Sequence, residues 1–280
     1  MKNQYFGDVN DYQKYGVLRA LSAGTGIRTT VCWALTPDVD RSDGSRIGYL
    51  ADPNSWRSRE PEVFDALRVV VQQQRARSVL ALETSGLLEN CRYWRHTFPS
   101  SKVERSQYFT DLLAFAQESD LIFFDPDNGL EVKSCPPGTT NSSRYIYLHE
   151  LRETWSRGHS IIVYQHFPRV ARAPFVRRAA ESISAATAAE CVIAFRTSHV
   201  VFLLAPQPGH VQRLTMNLGR FIERWSGIIT LEWHRFRQSG RPSDEAAEAY
   251  GPATDSTIRC AIRTARRSRG APRLAIPQPG

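Results

Sequence analysis

No run of 18 apolar residues occurs anywhere in the chain, so no membrane-spanning helix is expected. The opening residues, MKNQYFGDVNDYQKYG, are polar where a secretory leader needs an apolar stretch. The expectation is a cytoplasmic protein without membrane contact. There is no C-x-x-C pair and no Cys/His ligand spacing. The five cysteines, Cys32, Cys91, Cys135, Cys191 and Cys260, are odd in number and widely spread, which points to free thiols and away from structural zinc. Internal repeats are absent too. What the chain does have is apolar residues, 41% of 280, enough to bury a sizeable core and to exclude disorder throughout.

The formal charge of +8 is uneven, because six arginines fall between Arg259 and Arg273. Such a run attracts polyanions through counterion release without reading sequence, or else serves as a solubilising tail. Beyond Gln238 large apolar residues become scarce and turn-formers common. The expected organisation is therefore one domain over 1–238 and a flexible linker with basic tail over 239–280.

Six short runs rich in β-branched and aromatic residues read as strands buried on both faces: 29–35, 78–82, 120–125, 160–165, 191–196 and 200–205. Residues 227–236 read as a late edge strand. Helical patterns lie between them. Pro61 opens one that carries Val63, Phe64, Leu67 and Val71 on one face; residues 147–157 form another, ending before Gly158. Val211, Leu214, Leu218, Phe221, Ile222 and Trp225 recur at three- and four-residue steps, the clearest helix of all. Alternation of this kind predicts an α/β fold, Rossmann-like, with a mostly parallel central sheet and helices on both faces.

Ligands in such sheets bind beyond the carboxyl ends of the strands, so the polar residues that follow each apolar run are the candidates. The first run ends in TPDVDRSDG, which carries Asp38 and lacks the glycine-rich turn that lets a backbone approach a nucleotide. The third ends in PDNGLEVK, placing Asp125, Asp127, Glu131 and Lys133 close together, and the fourth in HFPR, with His166 and Arg169. A strand-end Asp also serves as a cap or turn residue, and a strand-end His as a hydrogen-bonded structural group. Glu83, after the second run, is in place for a ribose-binding acid. Ahead of the first strand, FGDVNDYQKYGVL predicts a helix capped by Asn10 or Asp11, with Tyr15, Leu18 and Leu21 packed inward. His149 and Glu150 read as a partly exposed helix face. Trp33 and Trp94 read as core.

The same N-terminal segment, together with SKVERSQYFTDLL at 101–113 and LIFFDPDNG at 121–129, resembles the Rossmann-like methyltransferases that modify an adenine N6 in large-subunit ribosomal RNA. The resemblance spans roughly residues 3–230. It implies S-adenosylmethionine as cofactor, with Lys14 at the lysine that contacts the cofactor's carboxylate, Asp38 and Glu83 toward the cofactor, and 101–113 flanking its adenine. LIFFDPDNG falls where that family has D-P-P-Y. Asp125 would be the catalytic acceptor of hydrogen bonds from a base amine, Pro126 the residue shaping the turn, and Asp127 and Asn128 stand where the second proline and the aromatic would be. Tyr5, Phe6, Tyr164 or Phe167 would supply the stacking ring, with Asn128, Lys133 and Arg169 on the substrate side and His166 beside the chemistry. The implied partner is nucleic acid, RNA or DNA.

Without the resemblance, Asp125, Asp127 and Glu131 are hard oxygen ligands suited to Mg²⁺ or Mn²⁺. Lys133 or Arg169 would then stabilise a phosphoryl oxyanion and His166 act as acid or base, a metal-dependent nuclease or phosphotransferase. The E-x-K of Glu131 and Lys133 is similar to that of restriction-endonuclease-like nucleases. A non-catalytic module that binds a nucleotide or RNA is the third reading.

Overall fold

The computed structural model describes residues 1–37, 46–74 and 77–236. Asp38, the boundary near 238 and the basic tail lie outside the described residues. In chain order come α1 (Val9–Ser22), β1 (Thr29–Cys32), α2 (Pro53–Trp56), α3 (Pro61–Arg68), α4 (Val79–Glu83), β2 (Cys91–Trp94), α5 (Lys102–Phe115) and β3 (Leu121–Phe124). Two short strands, β4 (Gly129–Leu130) and β5 (Tyr145–Ile146), pair with each other. They are followed by α6 (Leu148–Ser156), β6 (Ser160–His166), α7 (Arg172–Thr187), β7 (Cys191–Arg196), β8 (Val200–Ala205), α8 (Val211–Thr215), α9 (Leu218–Arg224) and β9 (Thr230–Arg235). No described helix is long and apolar enough to cross a membrane.

Seven strands form one sheet in the order β2-β1-β3-β6-β8-β7-β9. The pairs from β2 to β6 are parallel, and those from β6 to β9 antiparallel. The fold is α/β with β9 at an edge as expected, and the sheet is mostly parallel as expected, β2, β1, β3, β6 and β7 running one way, with β8 and β9 reversed so that it is mixed. The inner strands β1, β3, β6, β8 and β7 lack a polar face because helices cover both sides. Ile122, Phe124, Val163, Val192 and Leu203 pack with α5, α6 and α7 in one cluster. The alternate residues turn to the α1 side, where Tyr15 meets Trp33 and Phe195 meets Phe221 of α9. Trp33 and Trp94 are both buried, as expected.

Three local readings are corrected. Residues 78–82 are not a strand: Ser78 caps α4 through the Leu80 N–H, and the Val79 N–H donates to Asn3 Oδ1 at 3.1 Å. A short apolar run carries no period that separates buried helix from buried strand. The strand beside β1 is Cys91–Trp94, whose polar CRYW hides it because this edge is only partly covered. The pattern over 211–225 is broken into α8 and α9, because the Asn217 amide donates to Ala20 O and Ala23 O at 3.2 and 2.9 Å, tying that point to the end of α1. In addition, α1 starts earlier than expected, on Asp8, whose side chain accepts from Asn10 N.

Gly16 of α1 lies against the fully buried ring of Trp225, and a Cβ there would sit 2.5 Å from that ring. Tyr12 and Phe221 hold the ring from other sides, with centroids at 5.1 and 5.9 Å. Gly16→Ala gains about 1 kcal/mol of helix propensity but overpacks a rigid contact at a cost of about 1–3 kcal/mol. Urea denaturation should show a net loss of stability; a gain would mean that Trp225 is free to shift.

Candidate active site

The chain leaves β1 toward β2 on one side, then crosses to β3 on the other, so strand order reverses between β1 and β3. Such a switch point opens a crevice beyond the carboxyl ends of the strands. Here it becomes a cavity of about 660 Å³, floored by Asp11, Lys14, Asp125 and Asp127 and walled by Tyr164 and His166. That volume suits a nucleoside-sized ligand.

Its floor is an ionic bridge. Lys14 Nζ lies 2.8 Å from Asp11 Oδ1 and 2.6 Å from Asp125 Oδ2, with all three side chains almost fully buried. The ammonium also stands 4.8 Å from the centre of the Tyr164 ring. Burial works against the charge on Lys14, but the pull of Asp11 and Asp125 outweighs it and leaves the ammonium's pKa raised. Two carboxylates to one ammonium leave an excess negative charge. Burial pushes the Asp11 carboxyl up to about 6, with Lys14 opposing and Asp125 adding to the rise. Gly7 N–H and the Tyr15 hydroxyl donate to the other Asp11 oxygen at 3.1 and 3.3 Å.

A second set of oxygens converges nearby. The Met1 nitrogen is 3.1 Å from Ala34 O at the end of β1, 2.9 Å from Asp125 O at the end of β3, and 2.9 Å from Asp127 Oδ1. Thr36 Oγ1 donates to Asp127 Oδ2 at 2.8 Å. Burial would raise the Asp127 pKa, but the Met1 ammonium and the Thr36 hydroxyl hold it below the usual value. These three acceptors make a cradle for a primary ammonium.

The turn that carries Asp125 is clamped from below. Gln165 Oε1 accepts the Leu130 N–H at 2.7 Å, and its amide donates to Asn128 O at 2.9 Å. Gly129 lies at φ +111°, and a Cβ there would sit 2.3 Å from Gln165 Oε1, so both backbone angle and space demand glycine. Farther along, Arg105 pairs with Glu150 and donates to Tyr145 O at 2.5 Å and Ser142 O at 3.2 Å, anchoring the loop that returns through β5.

Asp125, Pro126, Asp127, Asn128, His166, Lys14 and Tyr5, all candidates from the sequence, line this one cavity. The Tyr164 hydroxyl is 3.1 Å from His166 Nε2, and desolvation of the ring in the cavity wall lowers the His166 pKa. Other expected residues lie elsewhere. Phe6 is buried against Tyr15 and faces no ligand space. Glu83 belongs to α4, where it accepts from Trp33 Nε1 at 2.6 Å and pairs with Arg95; it does not reach the cavity as a ribose acid. Trp33 also stacks on Tyr93, centroids 6.1 Å apart, filling the space between the ends of β1 and β2. Residues 101–113 form the N-cap and most of α5, whose Arg105 faces the loop anchor.

The carboxylate cluster proposed for Mg²⁺ or Mn²⁺ is not assembled. The turn after Asp125 sends the chain into β4, so Glu131 accepts the Leu148 N–H at 2.8 Å at the start of α6, and Lys133 is exposed outside the cavity. Among the described residues no group of three His, Cys, Asp or Glu side chains is placed to hold a metal ion. Arg169 lines a neighbouring cleft rather than the cavity itself. Glu150 is buried, not a partly exposed face. Sequence reading missed the Asp11 side of the bridge, the Gln165 clamp and the ammonium cradle. Of these, only Asp11 carried a signal, its i,i+3 spacing from Lys14 on a helix.

No protein-family model matches the chain, and neither does any curated protein.

Because the pKa of Asp11 is raised from 3.8 to about 6, the folded state holds a proton that the unfolded chain has released. Stability from this group is therefore greatest below the unfolded pKa and is lost as pH rises through about 4 to 6, by at most about 3 kcal/mol. Urea midpoints of the wild type and Asp11→Asn should diverge by about 1–3 kcal/mol between acid and neutral pH. A gap that stays constant across this range would show that Asp11 is already ionised.

Proposed function

We propose that the chain is a methyltransferase-like enzyme acting on a base amine in nucleic acid, with S-adenosylmethionine as the methyl donor. The carrying observation is that Lys14 and Asp125, both singled out by the resemblance and 111 residues apart, meet at 2.6 Å on the floor of a switch-point cavity. The fit to the cofactor is at its amino-acid end. The oxygens of Ala34, Asp125 and Asp127 are the acceptors an α-ammonium requires, and since the Met1 nitrogen fills them, the cofactor's ammonium would take the place of Met1. Glu83 does not fit the ribose role, and Lys14 is directed to two carboxylates rather than to a cofactor carboxylate.

S-adenosylmethionine, when bound, supplies an electrophilic methyl group. The chain's own residues do the rest. Asp125 Oδ2 is held by Lys14, and the carboxylate lines the cavity, where Oδ1 would accept from an exocyclic N–H. A carboxylate there absorbs the positive charge that develops on the amine as its nitrogen is alkylated. Fixing the carboxylate in an ion pair before substrate arrives avoids reorganisation during the reaction. His166, on the wall of the same cavity with a lowered pKa that favours the neutral imidazole, would receive the proton the amine must lose. Tyr5, on the lining of the same cavity, provides ring surface for a base taken out of its stack.

The test is transfer of labelled methyl from S-adenosylmethionine to RNA and, separately, to DNA by the purified full chain. Asp125→Asn keeps the shape of the side chain and should lower transfer by about 100-fold or more, with its circular dichroism unchanged. Absence of transfer to either polymer, together with no calorimetric binding of S-adenosylmethionine, would remove methyl transfer as the reaction. Binding of nucleic acid without turnover would then favour a non-catalytic module.

A further inference from the structure

Phe167, the first residue after β6, lies where three cavities meet. It lines the main cavity, an adjoining one of about 490 Å³ against α7, and a third of about 460 Å³ beside Arg169 and Arg172. Its ring is partly exposed, braced by Phe175 at 5.8 Å, and capped by the Arg172 guanidinium at 5.5 Å. The rims are basic. Arg46 and Arg144 border the main cavity, Arg178 the second, and Arg169 and Arg172 the third. Among the described residues none of these five arginines makes an ion pair. The carboxylates of the main cavity are engaged on its floor by Lys14, the Met1 nitrogen and the cap of α1.

We propose that this rim is a track for single-stranded nucleic acid, in which Phe167 stacks a base adjacent to the one in the main cavity. An aromatic face at the junction of connected clefts, ringed by unpaired guanidinium groups, suits a strand whose bases stack and whose phosphates lie outward. A duplex presents no unstacked base to such a ring. The second cavity, lined by Leu130, Val132 and Ala179 among others, takes the neighbouring base; Arg178 at its edge and Arg144 between clefts take phosphates. The inference rests on the main cavity being a base site, but it is read by binding alone and does not need turnover.

The test is fluorescence anisotropy of the full chain with a labelled single strand of about 12 nucleotides, as RNA and as DNA, and with the matching duplex. The basic tail is the same in every variant, so its contribution cancels. Phe167→Ala should weaken single-strand binding by about 10-fold without altering the dependence on salt, and Phe167→Tyr should restore it. Arg178→Ala and Arg144→Ala should each lower the slope of log affinity against log salt by about 0.7. Equal affinity of wild type and Phe167→Ala, or equal affinity for single strand and duplex, overturns the track. Loss of methyl transfer in Asp125→Asn with this binding intact separates failure of the reaction from failure of the track.

Discussion

One buried ammonium between two buried carboxylates governs this end of the molecule. Lys14 belongs to the N-terminal helix, Asp11 lies one turn before it, and Asp125 ends the third strand. An unpaired carboxylate so deeply buried would be costly, and removing one partner from such a bridge typically costs about 3–5 kcal/mol. The bridge therefore fixes where α1 lies over the strand ends. It also sets the charge of the floor: burial, with Asp125 adding and Lys14 opposing, keeps the Asp11 pKa raised, while the two carboxylates keep the lysine protonated.

From that constraint the rest of the site follows outward. Asp125 is held in place through its carboxylate by Lys14 and through its carbonyl by the Met1 nitrogen, so the turn after it begins from a fixed point. Gln165 and Gly129 then allow only one path for that turn, and the Arg105–Glu150 pair anchors its return. Negative charge is kept on the floor and positive charge on the rim. The proposed substrate, with a base amine and a phosphodiester backbone, has the complementary arrangement.

Much of this was legible in sequence. Continuous apolar runs such as LIFF and SIIVY reveal strands covered on both faces, and the polar residues directly after them reveal the site, because strand ends are where chemistry is exposed. Asp125 was readable for that reason, and Lys14 only through the resemblance of the N-terminal segment, since it lies on α1 ahead of every strand. What was not readable depended on tertiary partners. The helix over 79–83 is set by the Ser78 cap and by Asn3, a contact 76 residues away. The break at Asn217 is set by carbonyls of α1. Glu83 and Glu131 looked like site residues because carboxylates follow apolar runs there, but their actual partners, Trp33 and Leu148, are placed by strand order and by the path of the turn. The parallel half of the sheet follows from alternating helices and strands; the antiparallel half depends on β8 inserting between β6 and β7.

The central claim is that Lys14 and Asp125 act as one unit in the folded protein. A double-mutant cycle of Lys14→Met and Asp125→Asn, read by urea denaturation at neutral pH, measures it directly. The account predicts a coupling of about 2 kcal/mol or more, the double variant being less destabilised than the two single losses added together. Additivity within about 0.5 kcal/mol would contradict it, and would mean that Asp125 is held by something other than Lys14.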